Sequence, residues 1–201
     1  MSLVAFCVLA SAPVGSSSAA DAFRATLTLD PLSFVSFGDD RVFSIPAGTK
    51  LAFRFPDSPS ENLAFEIHPD DVASAEIPIG TAESLVVGLA RPAKGVLRAS
   101  DDGWTMSFDA RLRVQIERPI EPRMREIDVR FTTESATAKS TDGSRSISVS
   151  GLRLQPSALA IQLVGARSGD AADYPLAGGP IYAVLSGAFD RLPKLQKAPV
   201  R

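Results

Sequence analysis

The chain has 201 residues, 45% of them hydrophobic, enough to build a real core in one domain or two small ones. Its 21 basic and 23 acidic residues nearly cancel, leaving a net charge of −2. That balance excludes a global attraction to nucleic acid, and the single cysteine, Cys7, excludes an intrachain disulfide framework.

The chain opens on an apolar run from Leu3 to Val14, followed by a small, polar stretch over 15–20. Ser18 and Ala20 occupy the −3 and −1 positions of a cleavage site before Asp21, so residues 1–20 read as a secretory signal peptide. The run is shorter than the roughly 20 residues that a spanning helix needs. No Lys or Arg precedes Arg24, so the amino terminus alone supplies the positive charge of the n-region. Cleavage removes Cys7, and Asn62, followed by Leu63 and Ala64, is not a glycosylation acceptor. A bacterial periplasmic or cell-surface location is the expectation, with no transmembrane segment in the mature chain.

Residues 21–190 read as strands, either as one domain or as two sub-units meeting near 92–103. Two segments resemble each other: Asp39-Asp40 leading to Ile45-Pro46-Ala47-Gly48-Thr49, and Asp70-Asp71 leading to Ile77-Pro78-Ile79-Gly80-Thr81. Pro presets one turn position and Gly suits another, so a shared turn solution explains them better than an internal duplication. Pro-rich 55–60 and 91–94 read as loops.

The clearest signal is Trp104 to Glu117, in which apolar and polar residues alternate strictly. Period-2 alternation puts one side chain set on a core and the other in water, which an antiparallel sheet tolerates. After Arg118–Arg123, with its two prolines, Ile127, Val129 and Phe131 resume the pattern as a hairpin partner. The expected register sets Val114 beside Ile127, Leu112 beside Val129 and Arg113 opposite Asp128, leaving Arg111 against Arg130. A second register matches the apolar residues equally well but opposes Glu117 to Glu126 and Arg113 to Arg130, two repulsive pairs. A second hairpin is expected to turn at Asp142-Gly143, joining 134–141 to 144–154, with a β-bulge at Gly151. Apolar runs at 159–164 and 181–186 follow, then a basic, flexible tail over 191–201.

These elements predict an all-β fold, an antiparallel β-sandwich, with a closed β-barrel as the alternative. A lipid-facing barrel also alternates, but it requires an apolar outer band in most strands, which the runs at 42–45 and 159–164 do not supply.

No catalytic, cofactor-binding or metal residue can be assigned. His68, the single histidine, stands near Glu66, Asp70 and Asp71, but zinc sites use several His or Cys ligands. Any Ser-His-Asp triad would have to recruit the same residue. The Asp pairs 39/40, 70/71 and 101/102 lack calcium-loop spacing and read as turns. Arg111, Arg113, Arg118, Arg123, Arg125 and Arg130 are interleaved with acids, as on a solvated sheet face. Gly178-Gly179-Pro180 lacks the Lys-Ser/Thr of a phosphate loop. The expectation is therefore a non-catalytic, exported binding protein without cofactor, whose partner is a protein, a glycan or an envelope component. The alternatives are a carrier of an apolar, lipid-like ligand in a β cavity, and a secreted hydrolase using two carboxylates.

The leader gives a direct test. N-terminal sequencing of exported protein is expected to begin at Asp21 or within a few residues of it, and intact Met1 on soluble periplasmic material would contradict the assignment.

Overall fold

The computed structural model describes residues 23–37, 42–56, 62–72, 74–78, 84–100, 103–117, 123–140, 143–155, 157–167 and 179–194. The leader over 1–20 lies outside the described residues, as do 195–201 of the basic tail. The strands are β1 (Phe23–Leu29), β2 (Phe34–Phe37), β3 (Val42–Ser44), β4 (Lys50–Phe55), β5 (Asn62–Ile67), β6 (Ala75–Pro78) and β7 (Ser84–Leu89). They continue with β8 (Ala93–Ser100), β9 (Gly103–Glu117), β10 (Arg123–Thr132), β11 (Ala136–Lys139), β12 (Ser146–Val149), β13 (Ala160–Arg167) and β14 (Ile181–Phe189).

Eight of these pair antiparallel in the order β1-β4-β5-β8-β9-β10-β13-β14, and β14 then pairs back to β1. The sheet closes on itself, so the architecture is the barrel and not the two-sheet sandwich. Closure removes the exposed edges that two open sheets would leave.

Two long hairpins account for half of the wall, and every arm is broken at a proline. β1 and β2 run in one direction along the same edge of β14, interrupted at Asp30-Pro31-Leu32-Ser33. β4 and β3 pair with them in turn, interrupted at Ile45–Thr49, which contains Pro46. Likewise β7 and β8 share one edge of β9 with Arg91-Pro92 between them, and β6 and β5 pair with them across a 3₁₀ turn at Pro69–Asp71. Proline has no N–H to donate, so a ladder cannot pass through it unchanged. At 30–33 four residues stand against two of β14, and at 90–93 four stand against two of β9. The register slips by two residues, and the distal halves β2–β3 and β6–β7 rise from the barrel as two flaps.

The first slip is held by a small polar knot. Ser33 Oγ donates to the Ser186 carbonyl at 2.8 Å, and the Ser186 hydroxyl donates to Asp30 at 2.8 Å. The Ile-Pro-x-Gly-Thr segments occupy different places: Ile45–Thr49 forms a break, whereas Pro78 ends β6 before the β6–β7 connection, of which 79–83 lie outside the described residues.

The hairpin of β9 and β10 forms as the alternation predicts, but in neither anticipated register. Leu112 stands opposite Ile127, Arg111 opposite Asp128, Arg113 opposite Glu126 and Asp109 opposite Arg130. Charge complementarity decides the pairing: this register opposes unlike charges at three successive outward pairs, where the anticipated one opposed Arg111 to Arg130. Arg111 and Asp128 meet in two bonds, of 2.8 and 2.7 Å.

The β11–β12 hairpin forms with shorter arms than expected. The Ser140 N–H donates to the Arg145 carbonyl at 2.9 Å, and Asp142, with the turn expected at Asp142-Gly143, lies outside the described residues. The parity change at Gly151 is not a bulge in this ladder. β12 ends at Val149, and the chain crosses onto the barrel, where Leu154 is buried and Leu152 exposed.

Inside, Phe53 packs edge-on against Phe65, Phe108 and Phe189, and Phe108 stacks on Phe131 with centroids 5.0 Å apart. Outside, one register row reads Arg24, Arg54, Glu66, Lys94, Asp109 and Arg130, from β1 round to β10. Apolar within and charged without is the reverse of a lipid-facing barrel.

Close packing around the phenylalanines makes Gly95 a sharp probe. A Cβ there would stand 2.5 Å from Phe108 Cβ and 2.6 Å from the Ser107 carbonyl oxygen, neither of which can swing away. Gly95→Ala is expected to destabilise the protein by roughly 1–3 kcal/mol in urea unfolding. An unchanged midpoint would show that the barrel interior is not packed this tightly.

Candidate functional site

Above the phenylalanines, where the flaps leave the barrel, side chains no longer fill the lumen. A cavity of about 90 Å³ remains between barrel and flaps. Barrel strands contribute Leu51, Ile67, Phe108, Ala110, Leu112 and Ala183; the first flap and its break contribute Val35 and Ile45; the second contributes Ala75, Ile77 and Val87. Among the described residues that line it, Thr49 alone has a polar side chain, and its hydroxyl donates to the Pro46 carbonyl at 2.7 Å. A further void of about 20 Å³ shares Val35, Val87, Leu112 and Ala183 and extends toward Ile127, Val129 and Ile181.

The physics of such a space is restrictive. Among the described residues that line it none is titratable, and its surface is almost wholly apolar, so it offers water few hydrogen-bond partners.

The residues singled out around His68 do come together, on the outside of the barrel. His68 Nε2 lies 3.2 Å from one Glu66 oxygen, and Lys94 Nζ lies 3.0 Å from the other. Lys94 first, then His68, hold the Glu66 carboxyl below its ordinary range. Asp71, its side chain 8% exposed, accepts from Arg54 Nε and lies 3.4 Å from Arg24 Nη2. The Arg54 hydrogen bond is the main cause that depresses the Asp71 carboxyl. Both carboxylates are thus neutralised by cations of the protein itself, and among the described residues no group of three or more His, Cys, Asp or Glu is placed to hold a metal ion. Asp71 ends the Pro69–Asp71 turn, and its two arginines tie the second hairpin's break to β1 and β4.

Asp39, Asp40, Asp101, Asp102, Arg118 and Gly178 lie outside the described residues. Arg113 lies 4.0 Å from Glu126 and Arg130 3.9 Å from Asp109, so the outer face of β9–β10 is mixed in charge. Sequence reasoning missed the cavity because Ile45 and Val72 belong to breaks that read as turns. Their apolar character near prolines was the available signal.

No family model matches the chain, and comparison with curated proteins and with solved structures gave no match.

The Asp71 tie has a definite pH dependence. A carboxyl depressed in the folded state contributes stability above its unfolded value, near 4, and loses it as pH falls through the lower folded value. Asp71→Asn is expected to lower Tm by roughly 3–6 °C between pH 5 and 8. Below about pH 4 the gap should close as wild type loses the same ion pair. A constant gap down to pH 2 would contradict this assignment.

Proposed function

We propose that the protein is an exported, non-catalytic barrel that binds the hydrocarbon part of an apolar ligand between its two flaps. Export rests on the leader over 1–20, and the ligand class rests on one observation: an apolar space of about 90 Å³, without a free polar side chain, at the mouth of a closed barrel. The carrier of an apolar ligand, an alternative in the sequence reading, is the function that this geometry favours. The size sets the manner of binding. A cavity of about 150 Å³ accepts benzene, so the present space takes a few methylene groups of a chain. A longer chain extends along the smaller void toward Ile127 and Ile181, or parts the flaps. Each buried methylene contributes roughly 0.8 kcal/mol.

The test uses 1-decanol, followed by displacement of a fluorescent naphthylamine probe, on wild type and Ala110→Leu. Ala110 is buried and lines the cavity, so leucine fills the space from within. Wild type is expected to bind decanol, and the variant to lose at least about tenfold in affinity with Tm unchanged or higher. Equal binding by both proteins, or none by wild type, would overturn the proposal.

A further inference from the structure

The wall of the barrel is not closed equally all the way round. Among the described residues, every neighbouring pair of barrel strands except one shares a ladder of at least three residue pairs. The exception is β4 against β5, where the two long hairpins meet and Arg54 opposite Glu66 is the single pair. Above it the 3₁₀ turn at Pro69–Asp71 takes the place of a strand, and the next backbone link is one isolated bridge, Leu51 to Val72. Higher still, β3 and β6 approach each other, yet among the described residues β3 ladders with β2 alone and β6 with β7 alone. Pro69 in the turn and Pro78 in β6 have no N–H to offer a facing strand. A seam therefore runs between the two hairpins, from Arg54 and Glu66 up to the edges of the flaps.

The apolar cavity lies directly behind this seam. Leu51 and Val72, the two residues of the isolated bridge, both line it and are half-buried. Ile67, Ala75 and Ile77 of the β5–β6 arm line it as well. Parting the one bridge opens the cavity sideways and leaves every long ladder intact.

Side chains do here what a ladder does elsewhere. Asp71, the residue before Val72, accepts from Arg54 of β4 and lies 3.4 Å from Arg24 of β1. Both arginines belong to the first hairpin and Asp71 to the break of the second, so these ion pairs cross the seam. Glu66 is held instead by His68 and by Lys94 of β8, both from its own hairpin. A ladder opens only when backbone bonds break together, whereas a side-chain pair is released by rotation about its own bonds.

We propose that this seam is the portal through which the ligand enters and leaves the cavity, and that Asp71, held by Arg54 and Arg24, is its latch. The portal rests on the hydrocarbon-binding function proposed above, to which it adds the route. The latch closes over an empty and an occupied cavity alike, so it sets the rates of association and dissociation together and leaves the affinity nearly unchanged.

Stopped-flow displacement of the naphthylamine probe by 1-decanol, on the mature protein, tests the route. Residues opposed in an antiparallel pair have Cα atoms roughly 4.5–5.5 Å apart, within the range of a disulfide. Leu51→Cys/Val72→Cys can therefore be locked across the seam, and comparing its two redox forms cancels the effect of the altered lining. The oxidised form is expected to exchange the probe at least about tenfold more slowly than the form reduced with dithiothreitol. Asp71→Asn is expected to raise both rates by roughly tenfold with Kd within about twofold of wild type. Arg111→Gln, which removes an ion pair from the intact β9–β10 ladder, should change neither rate. An Asp71 that serves stability alone would lower Tm and leave the rates as they are. Equal exchange by the oxidised and reduced forms, or wild-type rates in Asp71→Asn, would overturn the portal and leave the binding function standing. Thiols that stay free under oxidation would overturn it too, because Leu51 and Val72 would then not face each other. Failure of wild type to bind decanol at equilibrium would instead remove the function on which the portal rests.

Discussion

Pro31, Pro46, Pro69 and Pro92 interrupt the four arms of two long hairpins, and the upper half of the molecule depends on those interruptions. A strand that loses a donor cannot continue its ladder in register, yet β9 and β14 run on beside the broken arms without a break. The chain resolves the conflict with two extra residues on each arm lying along them, at 30–33 and at 90–93. Inserted residues bend a strand and increase its twist. The distal halves therefore stand as flaps rather than as a taller barrel, and the cavity lies where flap and barrel part. Polar knots make the breaks definite structures: Ser33 and Asp30 hold Ser186 at one, and Asp71 holds Arg54 and Arg24 at another.

Filling of the lumen follows from the width of an eight-stranded barrel, which side chains can just occupy. Phenylalanines do so in the lower part, and Gly95 and Gly165 leave room for rings that a Cβ would strike. Toward the flaps the inward residues of the same strands shrink to Ala110 on β9 and Ala183 on β14. Large side chains at one level and small ones at the next leave a space that is apolar on all sides. A chain with a single cysteine, and so without an intrachain disulfide, depends on such packing for its stability.

Much of the wall was legible in the sequence. Strict alternation over 104–117 identified the longest strand, its partner and their facing sets, because period 2 is a local property. The same period holds in a sandwich and in a barrel, so the choice between them was not legible; it depends on β14 pairing with β1, residues far apart in the chain. The register was within reach. Opposing Asp109, Arg111 and Arg113 to Arg130, Asp128 and Glu126 satisfies all three pairs, and the anticipated register failed by settling for one. The breaks were misread for a physical reason: Pro-containing segments such as His68-Pro69-Asp70-Asp71 carry the chemistry of turns that reverse a chain, and here they bend a strand that then continues in the same direction.

Two surfaces of opposite character result from one alternating pattern. The inner face gathers an apolar space beneath the flaps, and the outer face gathers guanidiniums and hydroxyls beside β11. Amide hydrogen exchange with and without 1-decanol tests the proposal that the flaps hold a hydrocarbon ligand. The amides of β2–β3 and β6–β7 are expected to exchange faster than those of β9, β10 and β13 in the free protein, and to slow selectively when decanol is present. Protection that is uniform across barrel and flaps, or that does not change with decanol, would contradict it.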